Sequence, residues 1–184
     1  MIGGDIMDNK GVQKLVRGGL LLAIAVVIIF AGKNFPQVNQ FLVGPGVNAV
    51  LLLTAYICGT YYGIGVGLLT PLVALLVGQL NQAFAPFVPF IMIGNAIYVL
   101  LFGLLKGKIK LGKYAGVISG SVLKFLFLYL SVSKLVTLFS LNIPKPLLKK
   151  LAAAMGFPQL ITALIGGIIA IAIIEILKAR KVIE

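Results

Sequence analysis

Long apolar runs with no polar face restrict this chain more than any other feature. Stretches such as "GGLLLAIAVVIIFAG" (residues 18–32) and "ITALIGGIIAIAIIEIL" (residues 161–177) carry almost no hydrophilic side chain on any side. A helix of a soluble protein keeps a polar stripe toward water; these runs do not. Crossing ~30 Å of hydrocarbon takes a helix of about 20 residues. Six segments reach or approach that length: 15–32, 42–60, 62–80, 87–105, 114–135 and 158–178. Hydrophobic residues make up 60% of the chain and charged ones 11%, against roughly 25% charged in ordinary globular domains. The sequence therefore reads as an all-α integral membrane protein of six transmembrane helices. The 184 residues form a single domain, because no polar block is long enough to fold apart. The polar start "MIGGDIMDNKGVQK" lacks the form of a signal peptide, so the first run reads as a retained span.

Prolines punctuate the runs. Pro45 is expected to open the second span, Pro86 and Pro89 the fourth, and Pro158 the sixth, since a first turn tolerates the missing N–H. Pro71 falls inside the third span and predicts a kink.

An even number of spans puts both termini on one side, and the distribution of bases decides which. With cytoplasmic termini the inner set is Lys10, Lys14, Arg17, Lys106, Lys108, Lys110, Lys113, Lys178, Arg180 and Lys181. The outer set is Lys33, Lys145, Lys149 and Lys150. Ten bases against four favour both termini inside. The net charge of +12 is thus an orientation signal at the ends of apolar runs rather than a nucleic-acid footprint.

That orientation gives each polar residue a depth. Asn48, Gln79, Asn95, Tyr98, Gln159 and Thr162 all fall in the outer half of their helices, and the loops "KNFPQVNQFLVGPG" and "NQAFAPFVP" lie beyond them. Lys124 sits about ten residues into the fifth span, about 15 Å deep. A lysine there costs roughly 2.5–3.5 kcal/mol on insertion scales. Ser121, Lys124 and Ser131 share one helix face, a polar stripe expected to turn toward an interior cavity. Two roles stay open for the lysine: a ligand contact, or a structural one in which it caps carbonyls of the kinked third helix or approaches Glu175. The amides are each as easily explained by helix packing, at about 0.6 kcal/mol per interhelical polar pair.

The missing chemistry narrows the function. The chain has no histidine, one cysteine (Cys58, in an apolar run) and four acids, Asp5, Asp8, Glu175 and Glu184. No metal cluster, paired-carboxylate site or G-x-x-x-x-G-K-[ST] loop can be assembled from these, which argues against an enzyme and against P-loop ATP hydrolysis by this chain. A proton relay would need acids at mid-depth, and Glu175 lies near the inner end. The chain is equipped to bind a solute from outside but not to power its movement. Small-x-x-x-small steps at Gly19 and Ala23, and at Gly59, Gly63 and Gly67, offer surfaces for close helix approach.

"RGGLLLAIAVV" opening the first helix, with "GLLTPLVALLVGQL" and "PFIMIGNAIYVLLFGLLKGK" across the third and fourth, resembles the S-components of energy-coupling factor (ECF) transporters. The likeness extends by architecture over residues 14–178. It implies a multi-pass protein of the prokaryotic plasma membrane that captures a vitamin or related micronutrient outside. Such a protein joins a membrane-embedded T-component and two cytoplasmic ATPases, so that ATP is hydrolysed by partner subunits and no cofactor or metal is expected here. The family's first-helix A-x-x-x-A contact with the T-component corresponds to Gly19 and Ala23, with glycine in place of the first alanine. Nickel- and cobalt-carrying members use an N-terminal histidine, which this chain lacks; the implied cargo is organic. Stacking on it would fall to Tyr98 or Tyr129, and Lys124 suits a carboxylate, phosphate or carbonyl. The competing readings are a stand-alone small-solute carrier or channel-like homo-oligomer and, with less support, a scaffold or lipid-modifying protein.

Overall fold

The computed structural model describes residues 9–35, 39–135 and 145–183; Asp5, Asp8 and Glu184 lie outside these. The described residues are helical, with no strand among them. In chain order the helices are α1 (Asn9–Asn34), α2 (Asn39–Ile57), α3 (Thr60–Leu76), α4 (Val88–Leu105), α5 (Gly112–Leu130), α6 (Lys145–Met155) and α7 (Phe157–Ala179). A 3₁₀ segment, Gln82–Phe87, leads into α4, and a π-turn, Ser131–Leu135, extends α5. Among the described residues four segments are long and apolar enough to cross a membrane: Asn9–Asn34, Gln82–Leu105, Gly112–Leu130 and Lys149–Ala179. Phe41–Ile57 and Thr60–Leu76 are apolar but shorter.

Contacts run around a closed ring, α1 to α2, α2 to α7, α7 to α5, α5 to α4, α4 to α3 and α3 back to α1. Helix α2 also touches α3 and α4 and forms the centre, with every residue from Asn48 to Ala55 buried. Leu51, Leu52, Val99, Phe102, Ala163 and Ile174 pack into the main core. Glycines set how closely the helices approach. A Cβ on Gly166 of α7 would stand 2.6 Å from the Asn48 Cβ and 2.7 Å from the Pro45 carbonyl oxygen of α2. One on Gly120 of α5 would stand 2.9 Å from the Tyr98 carbonyl oxygen of α4. Gly63 and Gly67 do the same for α3, against Ala55 and Val99 and against Asn95. In a bilayer, where burial of apolar surface gives no net gain between helices, this close packing is a principal source of association.

Several boundaries differ from the sequence expectations. Pro45 lies inside α2 rather than at its start. It sits between Gly44 and Gly46, and its missing N–H forfeits only a bond to the carbonyl of Phe41, one turn from the helix end. The third helix ends at Leu76 rather than residue 80: Gly78 takes φ +77°, and the Leu80 N–H turns back to the Ala74 carbonyl at 2.9 Å. Gln79 thereby leaves the helix for a turn. Pro89 and Pro158 occupy the first turns of α4 and α7 as expected, and Pro71 is internal to α3. The stretch holding Lys145, Lys149 and Lys150 is not merely a basic connection but the amphipathic helix α6. Its Leu151 and Met155 are buried against Phe87, Leu128 and Val132, while Lys149 and Lys150 are exposed.

The α2–α7 approach gives a direct test. Gly166→Ala should lower stability by about 1–3 kcal/mol through overpacking against backbone, whereas Gly65→Ala, where an added Cβ meets nothing within 4 Å, should be neutral. Thermal unfolding of the two purified variants in the same detergent checks this.

Candidate functional site

Helices α2, α3, α4, α5 and α7, with Ile29 of α1, line a cavity of about 180 Å³. Its polar lining is Asn48, Thr70, Gln79, Asn95, Lys124, Gln159 and Thr162; Ile29, Val43, Val47 and Ile91 contribute apolar wall. Six of the eight sequence-selected residues therefore meet in one space. They come from α2, α4, α5, α7 and the turn after α3, separated by up to 114 positions in the chain.

Lys124 is 3% exposed, and its Nζ donates to Asn48 Oδ1 at 2.7 Å. The same Nζ lies 5.4 Å from the centroid of the Tyr98 ring, within cation–π range. Ser121 and Ser131, on the same face of α5, are buried with it, as the polar stripe predicts. The Tyr98 hydroxyl donates to the Ala163 carbonyl at 2.7 Å, which joins α4 to α7 beneath the lysine. Tyr98 thus supports the cavity rather than lining it, and its ring is wholly buried. Asn95 Nδ2 donates to the Gly67 carbonyl at 2.9 Å, a bond between α4 and α3. The Gly67 carbonyl lies one turn before Pro71, whose ring removes the donor that an unbroken helix would offer it. Thr70 Oγ1 approaches the same oxygen at 3.4 Å.

Tyr129 is placed elsewhere. Five residues beyond Lys124, about 140° around the helix, it is 51% exposed and packs on Phe125, with ring centroids 5.9 Å apart. Thr70 is the polar lining residue that sequence reasoning did not select. Its position beside a mid-span proline was the available signal.

The opposite end of the bundle is built differently. Lys106, just past α4, donates to the Ala55 carbonyl near the end of α2, and burial pulls its amino group below the ordinary lysine range. Lys106 and Lys178 flank the Tyr56 ring at 5.1 and 5.7 Å. Glu175 accepts from Lys113, so the partner of this acid is at its own end of the bundle and not Lys124. Cys58, between α2 and α3, is buried in packing contact.

On the outer surface of the ring, Gly19 and Ala23 are both exposed. Gly19 lies in an apolar groove of about 360 Å³ between α1 and α3, with Leu15, Leu22, Tyr62 and Leu69 among its walls.

A family model described as ECF transporter, substrate-specific component, matches residues 13–178. The chain belongs to this family. Comparison with curated proteins and with solved structures gives no match. Family membership makes the chain a substrate-binding, multi-pass membrane subunit of a transporter, and the apolar helices agree with that. The S-component has its cavity, with Lys124 and the amides in its wall, at one end of the bundle and its lysine-rich closure at the other.

Proposed function

We propose that this S-component captures a small organic micronutrient of the vitamin class from outside a prokaryotic cell, in the cavity around Lys124. All six apolar helices span the membrane, α3 being short because Gly78 turns the chain at its outer end. The bundle end carrying Lys106, Lys113 and Lys178 faces the cytoplasm with both termini, under the positive-inside rule. The observation that supports the reading best is the gathering of Asn48, Asn95, Lys124, Gln159 and Thr162 about one space in the opposite half. Polar groups in a membrane bundle are costly, and their convergence on a cavity marks a solute site. Asn48, Gln79, Asn95, Lys124, Gln159 and Thr162 contact the cargo, with Tyr98 positioning the lysine.

Energy comes from partners in this reading: a membrane-embedded T-component and two cytoplasmic ATPases, with no cofactor in the S-component itself. The exposed Gly19 and Ala23 face of α1 is the docking surface for the T-component, since small residues there let a second helix approach closely.

Mass spectrometry of small molecules that accompany the purified chain tests the reading. A bound organic solute is expected; an empty protein that nevertheless moves solute in ATP-free vesicles would replace it with a stand-alone carrier. Lys124→Met should weaken cargo binding more than tenfold while keeping side-chain length, and unchanged affinity in equilibrium titration would remove the lysine from the contact set. Ala23→Leu should leave binding intact and stop uptake, measured as cargo accumulation in cells that carry the full transporter. Normal uptake would show that docking uses another surface.

A further inference from the structure

We propose that the cargo is a small organic anion, a carboxylate or a phosphate monoester, whose oxyanion docks on Lys124 in place of the Asn48 amide oxygen. This rests on the reading of the cavity as the cargo site. An ammonium has three N–H donors, and the bond to Asn48 uses one of them. Its other described neighbour is the Tyr98 ring face, which attracts a cation but accepts no strong hydrogen bond. A carboxylate or phosphate would set a full opposite charge beside the buried ammonium, an attraction that a neutral amide cannot supply and that low-dielectric surroundings strengthen.

The charges around the cavity point the same way. Among the described residues the one carboxylate, Glu175, lies at the far end, tied to Lys113. The cavity lining contains amides, hydroxyls and Lys124, with no acid to repel an anion. A second cation stands at the rim: Lys33 is exposed, and its Nζ is 3.8 Å from where a Cβ on Gly78 would lie, beside Gln79 of the lining. An anion approaching from this end meets Lys33 first and Lys124 at depth, an arrangement that raises its local concentration and capture rate. A cationic cargo would meet like charge twice.

The remaining surface describes the rest of the molecule. Ile29, Val43, Val47 and Ile91 require a compact apolar body, and Gln159 and Thr162 allow a polar substituent on it. The cavity, at about 180 Å³, is smaller than the ~300–1,000 Å³ of drug-sized pockets. The close approach of Gly166 fixes the backbone at Asn48, so cargo displaces the amide by rotating the side chain rather than moving the helix.

The test uses the full chain in zwitterionic lipid nanodiscs, titrated calorimetrically with benzoate, phenyl phosphate and benzamide, which share one ring and differ in the acid. At least one acid should bind ten or more times more tightly than benzamide; which one distinguishes a carboxylate from a phosphate cargo. Asn48→Asp supplies Lys124 with an internal carboxylate and should fold well. It should reduce affinity for the preferred acid at least tenfold and abolish the preference for that acid over benzamide. Lys33→Gln should weaken the acid about twofold to threefold and flatten its salt dependence. Benzamide binding as tightly as both acids, no binding of either acid, or an Asn48→Asp variant that keeps wild-type acid affinity would overturn the proposal. A neutral solute found with the purified chain would also overturn it while leaving the importer reading intact; a chain that neither carries nor binds any solute would remove both.

Discussion

Hydrocarbon cannot solvate an amino group, and the way this bundle houses Lys124 organises much of the rest. The lysine needs acceptors brought to it from other helices. Asn48 comes from α2 and the Tyr98 ring from α4, and the Tyr98 hydroxyl is itself anchored on α7 through Ala163. Each partner is in place because a glycine lets its helix close in: Gly166 beside Asn48, Gly120 against the Tyr98 backbone, and Gly167 within 3.1 Å of the Tyr98 oxygen for an added Cβ. Small residues and polar residues, separate features in the sequence, are therefore two halves of one device. The glycines bring four helices together, and the polar groups make use of the closeness.

The two ends of the bundle complement each other. At the lysine-rich end, charges are spent on closure, with Lys106 on the end of α2, Lys113 on Glu175, and Tyr56 held between two lysines. At the cavity end the polar groups converge on open space, and α3 stops a turn early so that Gln79 reaches the rim. Such a molecule is suited to hold a solute at one face and to tie its helices together by charge at the other. Passage across the membrane then requires a larger rearrangement than side-chain motion, consistent with a subunit that depends on others for transport.

Much of this was legible in the chain. Apolar run length locates the helices because the bilayer imposes one length scale, and the 3.6-residue period put Ser121, Lys124 and Ser131 on a common inward face. Depth counting grouped Asn48, Gln79, Asn95, Gln159 and Thr162 because helices packed side by side bring residues at equal distance from their ends to one level. Angle around each helix was harder to read. Tyr129 shares the depth of the site but points outward, since five residues carry it about 140° from Lys124. Tyr98 shares the direction but lies behind the lysine. Pro45 marks no helix start, because flanking glycines let α2 continue through it. Helix α6 was hidden by its lysines, which mark one face of an amphipathic helix as readily as a connection between spans. Glu175 found its partner at its own depth, in Lys113, which no sequence period links to it.

The central claim is that the polar cavity opens to the outside and the lysine-rich closure to the cytoplasm. Single cysteines at Gln79, Gln159 and Lys108, placed in a Cys58→Ala background and treated with a membrane-impermeant maleimide on intact cells, address it most directly. The account predicts labelling at positions 79 and 159 from outside, and at position 108 only after the membrane is opened. Labelling of 108 in sealed cells, with 79 and 159 protected until lysis, would contradict it.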